Sequence, residues 1–189
     1  MANKDAAFGM RAIGKVGQNR DSQGLSEYDI AASATAIYQN DPVVMAATGT
    51  ITVAAAGNTL LGSLNGVFYT DASTSKPTYA NHLEGSNTAT DIVGFVSDDP
   101  YERFEIQSNN AGASAQTDIG NCADIEYTAG ATPNYVSKVE LDDSSLGTST
   151  AQLKIIGLSK DPDNNDLTSA NVNWVVTINE HFLKATAGV

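Results

Sequence analysis

Two histidines and one cysteine are the side chains of this sequence best suited to proton transfer or nucleophilic attack near neutral pH. His82 lies in the polar stretch TYANHLEG, His181 follows Glu180, and Cys122 lies in GNCADI. No GxSxG, HExxH or Cys-His signature surrounds any of the three. A lone cysteine also excludes an internal disulfide and a cysteine-based zinc site. The sequence therefore predicts packed or surface side chains here and no enzyme.

Neighbouring carboxylates are the second kind of group that could do chemistry. Asp98-Asp99, Glu102 with Glu105, and Asp142-Asp143 are close in sequence, whereas a glycosidase holds its two carboxyl groups across a cleft. Pro100 follows the first pair directly, which is typical of a turn. We expect Asp98-Asp99 to form a solvated turn and predict no catalytic carboxylate pair.

One run imitates half of a calcium-binding loop. Residues 161–166 read DPDNND, with oxygen-bearing side chains at positions 161, 163 and 165. The sixth position of such a loop is glycine and the twelfth is glutamate, but here they are Asp166 and Val172. We predict a polar turn and no cofactor, although Ca²⁺ binding by Asp161–Asp166 stays open. The glycine-rich signatures of phosphate binding are also missing from the sequence.

Short apolar segments separated by turn residues must position whatever site exists. Alternation is clearest in 171–182, where Val172, Trp174, Val176 and Ile178 share one face. No segment keeps an apolar helical period for three turns. The pattern predicts an all-β domain over 25–189, a single β-barrel or jelly-roll-like sandwich. The predicted strands lie in 26–37, 41–45, 49–58, 60–71, 91–100, 101–108, 152–159 and 171–182.

The first 24 residues differ from this body. Glycine recurs every few residues, which disfavours a helix, and residues 1–20 hold four Lys or Arg against one Asp. The rest of the chain holds six Lys or Arg against 21 Asp or Glu. We predict an extended, cationic N-terminal arm over 1–24 that becomes ordered on a partner.

The overall charge of −12 disfavours nucleic-acid binding, which depends on lysine and arginine. No apolar run is long enough for a membrane span, and the N-terminus lacks the apolar core of a signal peptide. Folding in a reducing cytoplasm fits the single cysteine. Phe68 and Tyr69, beside Gly66, fit either a core or an interface, and the sequence alone leaves both open.

The chain resembles small structural proteins encoded beside the capsid genes of tailed phages, especially marine and cyanobacterial ones. The resembling segments are KDAAFG (4–9), 23–31, 40–71, 93–107, 120–127, 144–164 and INEH (178–181). The resemblance implies a virion component made in the bacterial host, without catalytic residues, and some such proteins are similar to capsid cement proteins.

From the resemblance and the charge pattern we predict a capsid decoration (cement) protein on the outer surface of the virion head. Its predicted partners are the major capsid protein and, as a homotrimer, further copies of itself. The predicted capsid-contact residues of the arm are Phe8, Met10, Arg11, Ile13, Lys15 and Arg20. A tail-tube, connector or fibre protein is the first alternative. A small carbohydrate-binding β module is the second, and the placement of the sole Trp174 on a core-facing strand argues against it.

Overall fold

The computed structural model of the chain describes residues 2–17, 24–109 and 114–184. This part contains three single-turn 3-10 helices, at Gln116–Asp118, Asp143–Ser145 and Phe182–Lys184, and no α-helix. No helix in these ranges is therefore long enough to cross a membrane. The strands are β1 (Arg11–Lys15), β2 (Ser26–Asp29), β3 (Pro42–Met45), β4 (Ile51–Val53), β5 (Gly62–Thr70), β6 (Pro77–Ala80), β7 (Val93–Ser97), β8 (Glu102–Gln107), β9 (Cys122–Ala123), β10 (Ile125–Glu126), β11 (Glu140–Leu141), β12 (Leu153–Leu158) and β13 (Asn173–Ile178).

The strands form two main antiparallel sheets. Sheet A has the order β1-β8-β13-β12-β9. Sheet B has the order β2-β7-β5-β3-β4, and β6 pairs with the second half of β5. A small separate ribbon joins β10 to β11. Sheet B thus takes six consecutive strands of the chain, while sheet A combines the first strand with later ones.

The described residues form two apolar cores. The inner core lies between the sheets and contains Phe104, Trp174 and Val176 from sheet A together with Ala54 and Leu60 from the sheet B side. The second core lies on the other face of sheet B, where Val43 and Leu64 pack against Ile30, Ile37 and Leu83 from the connecting segments. Adjacent residues of β3 show the division, because Val43 belongs to the second core and Val44 packs against the inner core.

The alternating apolar pattern of residues 171–182 explains the burial of β13. Val172, Trp174, Val176 and Ile178 are all buried in the inner core, as their spacing predicts. β8 is buried on both faces, because Phe104 and Ile106 face the inner core while Glu105 and Gln107 are covered on the other side. The prediction that residues 101–108 form one half-buried strand therefore understates their burial.

The predicted all-β sandwich is confirmed, and the barrel alternative is wrong. Sheet A ends at β1 and β9 and sheet B ends at β2 and β4, so neither sheet closes on itself. Six consecutive strands share sheet B, whereas the paired Greek keys of a jelly roll carry the chain back and forth between two sheets. The strand order is therefore not that of a jelly roll.

The predicted separation of an arm at 1–24 needs correction, because the described residues of this segment are part of the sandwich. Gln107, on the outer face of sheet A, accepts the Ala6 N–H at 2.9 Å and donates to the Lys4 carbonyl at 3.0 Å. Met10 then enters the inner core, and residues 11–15 form β1, antiparallel to β8. Met10 is more stable in the inner core than in water, which the scattered glycines of the segment do not reveal.

Gly9 makes the crossing from the outer face to the core sterically feasible. Its φ is +74°, and an added Cβ would lie 2.4 Å from the Asn40 carbonyl oxygen and 2.4 Å from the Ser137 Cβ. The next residue is tied on both sides, since the Met10 N–H donates to the Asn40 carbonyl at 2.9 Å and Ser63 Oγ donates to the Met10 carbonyl at 2.6 Å. Only glycine combines this backbone conformation with this close approach.

We expect Gly9→Ala to lower the free energy of unfolding by about 2–5 kcal/mol, from the left-handed backbone and the overpacking together. Gly17→Ala is the matched control. Gly17 has φ +72° but no atom within 4 Å of the added Cβ, so it should lose only about 1–2 kcal/mol. Urea denaturation of both variants measures the difference. Equal losses would contradict a packed crossing at Gly9.

Candidate protein-interaction surface

The structure separates the six predicted contact residues into different environments. Met10 is fully buried and so is unavailable to a partner in this structure. Phe8 is half-buried beneath Arg11, whose guanidinium carbon lies 4.7 Å from the ring centroid. Ile13 is exposed at 44% on β1. Lys15 follows on the same strand, and Arg20 lies outside the described residues.

The cations of the segment are paired with carboxylates of the domain. Arg11 forms an ion pair with the nearly buried Glu105, which also accepts a hydrogen bond from Ser159 Oγ. Lys4 pairs with Asp163 in an exposed position. These contacts neutralise acids of the chain itself, so a partner carboxylate would have to compete with them for Lys4 or Arg11.

Lys15 is tied to the turn between β7 and β8. Its Nζ lies 2.6 Å from Asp99 Oδ2, and the Tyr101 N–H donates to Asp99 Oδ1 at 2.8 Å. The hydrogen bond from Lys15 and that from the Tyr101 backbone hold the pKa of Asp99 below its usual range. The Val16 N–H also donates to the Tyr101 carbonyl at 2.9 Å. The C-terminal end of β1 is therefore held by contacts within the domain, as its N-terminal end is.

β1 is the outermost strand of sheet A, and no described strand pairs with its other edge. Beside that edge two adjoining cavities, of about 340 and 260 Å³, share Ala12, Asn65 and Ser97 in their walls. We call the combined depression the edge groove. Its other lining residues are Arg11, Ile13, Gly14, Gly24, Leu25, Gln39, Asn40, Ser63, Leu64 and Glu102.

The edge groove suits an extended polypeptide. Its walls combine small and polar side chains with the backbone of β1, and Ile13 and Leu25 are exposed at 44% each. An unpaired strand edge offers backbone donors and acceptors in a row, which is the template for adding a strand from another chain. Sequence reasoning found Ile13 but missed Asn65 and Ser97, because nothing in the local sequence shows that β5 and β7 approach β1.

The histidines and the carboxylate pairs occupy structural positions. His181 is buried at the junction with Leu60, and burial lowers the pKa of its imidazole. His82 is stacked on Tyr135, with 3.8 Å between ring centroids. Asp98 accepts hydrogen bonds from Ser26 Oγ at 2.9 Å and the Tyr28 hydroxyl at 2.6 Å, which ties β2 to the turn after β7.

The calcium-like run forms a tight turn. Asp161 Oδ1 accepts the Asp163 N–H at 3.0 Å, and Asp166 Oδ1 accepts the Thr168 N–H at 2.9 Å. Asn3 of the N-terminal segment donates to the Asp166 carbonyl at 2.9 Å. Throughout 2–17, 24–109 and 114–184, no group of three or more His, Cys, Asp or Glu side chains could hold a metal ion.

Comparison with protein-family models, with curated proteins and with solved structures finds no match to this chain.

Three carboxyl groups are partly or fully buried: Asp41 before β3, Glu140 in β11 and Asp143 in the 3-10 helix that follows β11. Burial raises the pKa of Asp41 to about 6, that of Asp143 to about 6 and that of Glu140 to about 7. For Glu140 the charges of Asp5, Glu126 and Asp143 raise the pKa further. The folded state therefore holds these protons at a pH where an unfolded chain has released them.

A folded-state pKa above the unfolded value gives stability that is present below the unfolded pKa and is lost as pH rises through the folded one. We therefore expect the ionisation of Glu140 to lower the free energy of unfolding as the pH rises from 5 to about 7, the raised pKa of this group. Glu140→Gln should be more stable than the parent at pH 8 by about 1 kcal/mol, allowing for solvent screening, and should differ little at pH 5. Chemical denaturation at both pH values measures this. Glu27→Gln, at an exposed position of β2, is the control, and an equal gain in both variants would contradict the prediction.

Proposed function

We propose that this chain is a virion structural protein of a tailed phage, a capsid decoration protein that binds the outer surface of the major capsid lattice and stabilises the head. The observation that supports this most is the edge of β1. It is held in place at both ends by Met10 and by the Lys15–Asp99 contact, yet its outer side is unpaired among the described residues. A fixed edge of this kind is suited to a protein partner.

Strand addition at this edge would account for binding to many equivalent subunits. Main-chain hydrogen bonds supply affinity with little dependence on sequence, and side chains such as Ile13 supply specificity. Because β1 is already ordered, it loses little conformational entropy when a partner strand pairs with it. The resemblance to small phage structural proteins adds independent support to this proposal.

A repeating lattice would multiply such contacts. In the proposed homotrimer, three copies of the edge act together, and the effective concentration of the second and third contacts raises the overall affinity. The acidic body, with six Lys or Arg against 21 Asp or Glu, would face the solvent, where like charges limit aggregation. The proposed partner is the major capsid protein, and neither nucleic acid nor membrane enters the proposal.

Placement in the head is distinguished from a tail-tube, connector or fibre position by copy number. We expect quantitative mass spectrometry of purified virions to find the chain in numbers comparable to the major capsid protein. A copy number that is a small fraction of that value would favour the tail or connector alternative. Absence from purified virions would contradict every version of the proposal.

The edge itself is tested by charge insertion at Ile13. We expect Ile13→Asp to reduce binding to purified undecorated heads about tenfold or more, because an unpaired charge is left in the contact. Ile156→Asp is the matched control, since Ile156 is exposed at 38% on β12, three strands away from β1 in sheet A. Co-sedimentation with heads measures both. Equal binding by the two variants would contradict a role for the edge of β1.

A further inference from the structure

A second surface lies on the face of sheet B opposite the second core. On β7, Ser97 lines the edge groove, and Phe95 and Val93 follow it on the same face by the two-residue repeat of a strand. Val93 pairs with Phe68 of β5, and Phe68 pairs with Tyr79 of β6. We call Phe68, Tyr79, Val93 and Phe95 the aromatic face.

None of these four side chains belongs to either core. The inner core takes its sheet B residues from the other end of that face, around Val44 and Leu60, and the second core lies on the opposite side of the sheet. Tyr79 is exposed at 75%. Phe68 was an open choice between core and interface on sequence grounds, and its position outside both cores favours an interface. Tyr69, in contrast, packs against the second core.

The three rings form one continuous platform. The centroids of Phe68 and Tyr79 are 4.8 Å apart, and those of Tyr79 and Phe95 are 6.5 Å apart with nearly parallel planes. Phe95 pairs with Gly66 of β5, so Tyr79 reaches it across a position without a side chain. The ring faces that remain open present the negative side of their quadrupoles to solvent.

Carboxylates border this platform along β2. Glu27 pairs directly with Phe95, and Asp29 pairs directly with Val93. Both side chains are exposed and have no ion pair or hydrogen bond with described residues. Asp91 lies near the end of β5, where it accepts the Thr70 N–H at 3.0 Å. Lys76 lies in the turn that joins β5 to β6.

We propose that the aromatic face binds an extended segment of a protein partner that carries lysine or arginine. A cation stacked on Tyr79 or Phe95 is attracted by the negative face of the ring. The same cation lies beside Glu27 or Asp29. The aliphatic part of its side chain covers Phe68. A second copy of this chain fits less well. It would bring the same acidic border and a net charge of −12, so the two copies would repel each other.

The aromatic face and the edge groove are continuous through Ser97, so one partner segment could occupy both. Only the occupation of both surfaces by one capsid segment rests on the proposed function. The preference of the aromatic face for a cationic segment is argued from its own residues and can be measured without virus particles.

The test is isothermal titration of the full chain at low salt with a short peptide that alternates lysine and threonine. A peptide that alternates glutamate and threonine is the charge control. We expect the lysine peptide to bind and the glutamate peptide not to bind. Tyr79→Ala should weaken binding about fivefold or more, and Glu27→Gln with Asp29→Asn should weaken it similarly and reduce its dependence on salt.

Tyr101→Ala is the matched control variant, because Tyr101 is also highly exposed, at 61%, but lies in the turn before β8 under Lys184. Circular dichroism confirms that each variant is folded. Equal affinity of Tyr79→Ala and Tyr101→Ala for the lysine peptide overturns the proposal. So does equal binding of the glutamate peptide, or a change of oligomeric state caused by Tyr79→Ala, which would assign the face to self-association. Head binding plays no part in this measurement, so its outcome is separate from that of the capsid proposal.

Discussion

The burial of Met10 between the two sheets is the constraint on which the interaction surface depends. The chain reaches the inner core by crossing at Gly9, where an added Cβ would collide with Asn40 and Ser137. After Met10, the next five residues continue along β8 as the outermost strand of sheet A. A large apolar side chain thus converts a glycine-rich leader into an ordered edge.

This arrangement changes what the N-terminal cations do. Arg11 and Lys15 are bound to Glu105 and Asp99, so their charges stabilise the position of β1 within the chain. The surface left for a partner is then the backbone edge of β1, the exposed Ile13 and the adjoining face of sheet B. Lattice binding would depend on shape and strand pairing more than on the long-range attraction of a cationic arm.

Much of the fold follows from local sequence patterns. Alternation predicts β13, and Asp98-Asp99-Pro100 predicts a turn, where the structure places both carboxylates in structural hydrogen bonds. The N-terminal segment was predicted as a free arm because glycine spacing describes only backbone preference. Nothing local indicates that Gly9 meets Asn40 and Ser137, since that contact is set by tertiary packing.

The surfaces were the least predictable part. β6 lies in the polar stretch KPTYANH, without the alternation that marks a buried strand, so Tyr79 carried no signal of its place beside Phe68 and Phe95. The edge groove joins residues from β1, β5 and β7, which are far apart in sequence. Trp174, in contrast, was correctly placed in the core because its own strand alternates.

Amide hydrogen exchange of the N-terminal segment tests the central claim most directly. The Met10 N–H donates to the Asn40 carbonyl and the Val16 N–H to the Tyr101 carbonyl, so both should exchange as slowly as amides of the neighbouring strand β8 in the free protein. Exchange of these two amides at the rate of an unstructured peptide, with β8 still protected, would show that the segment is not built into the sandwich.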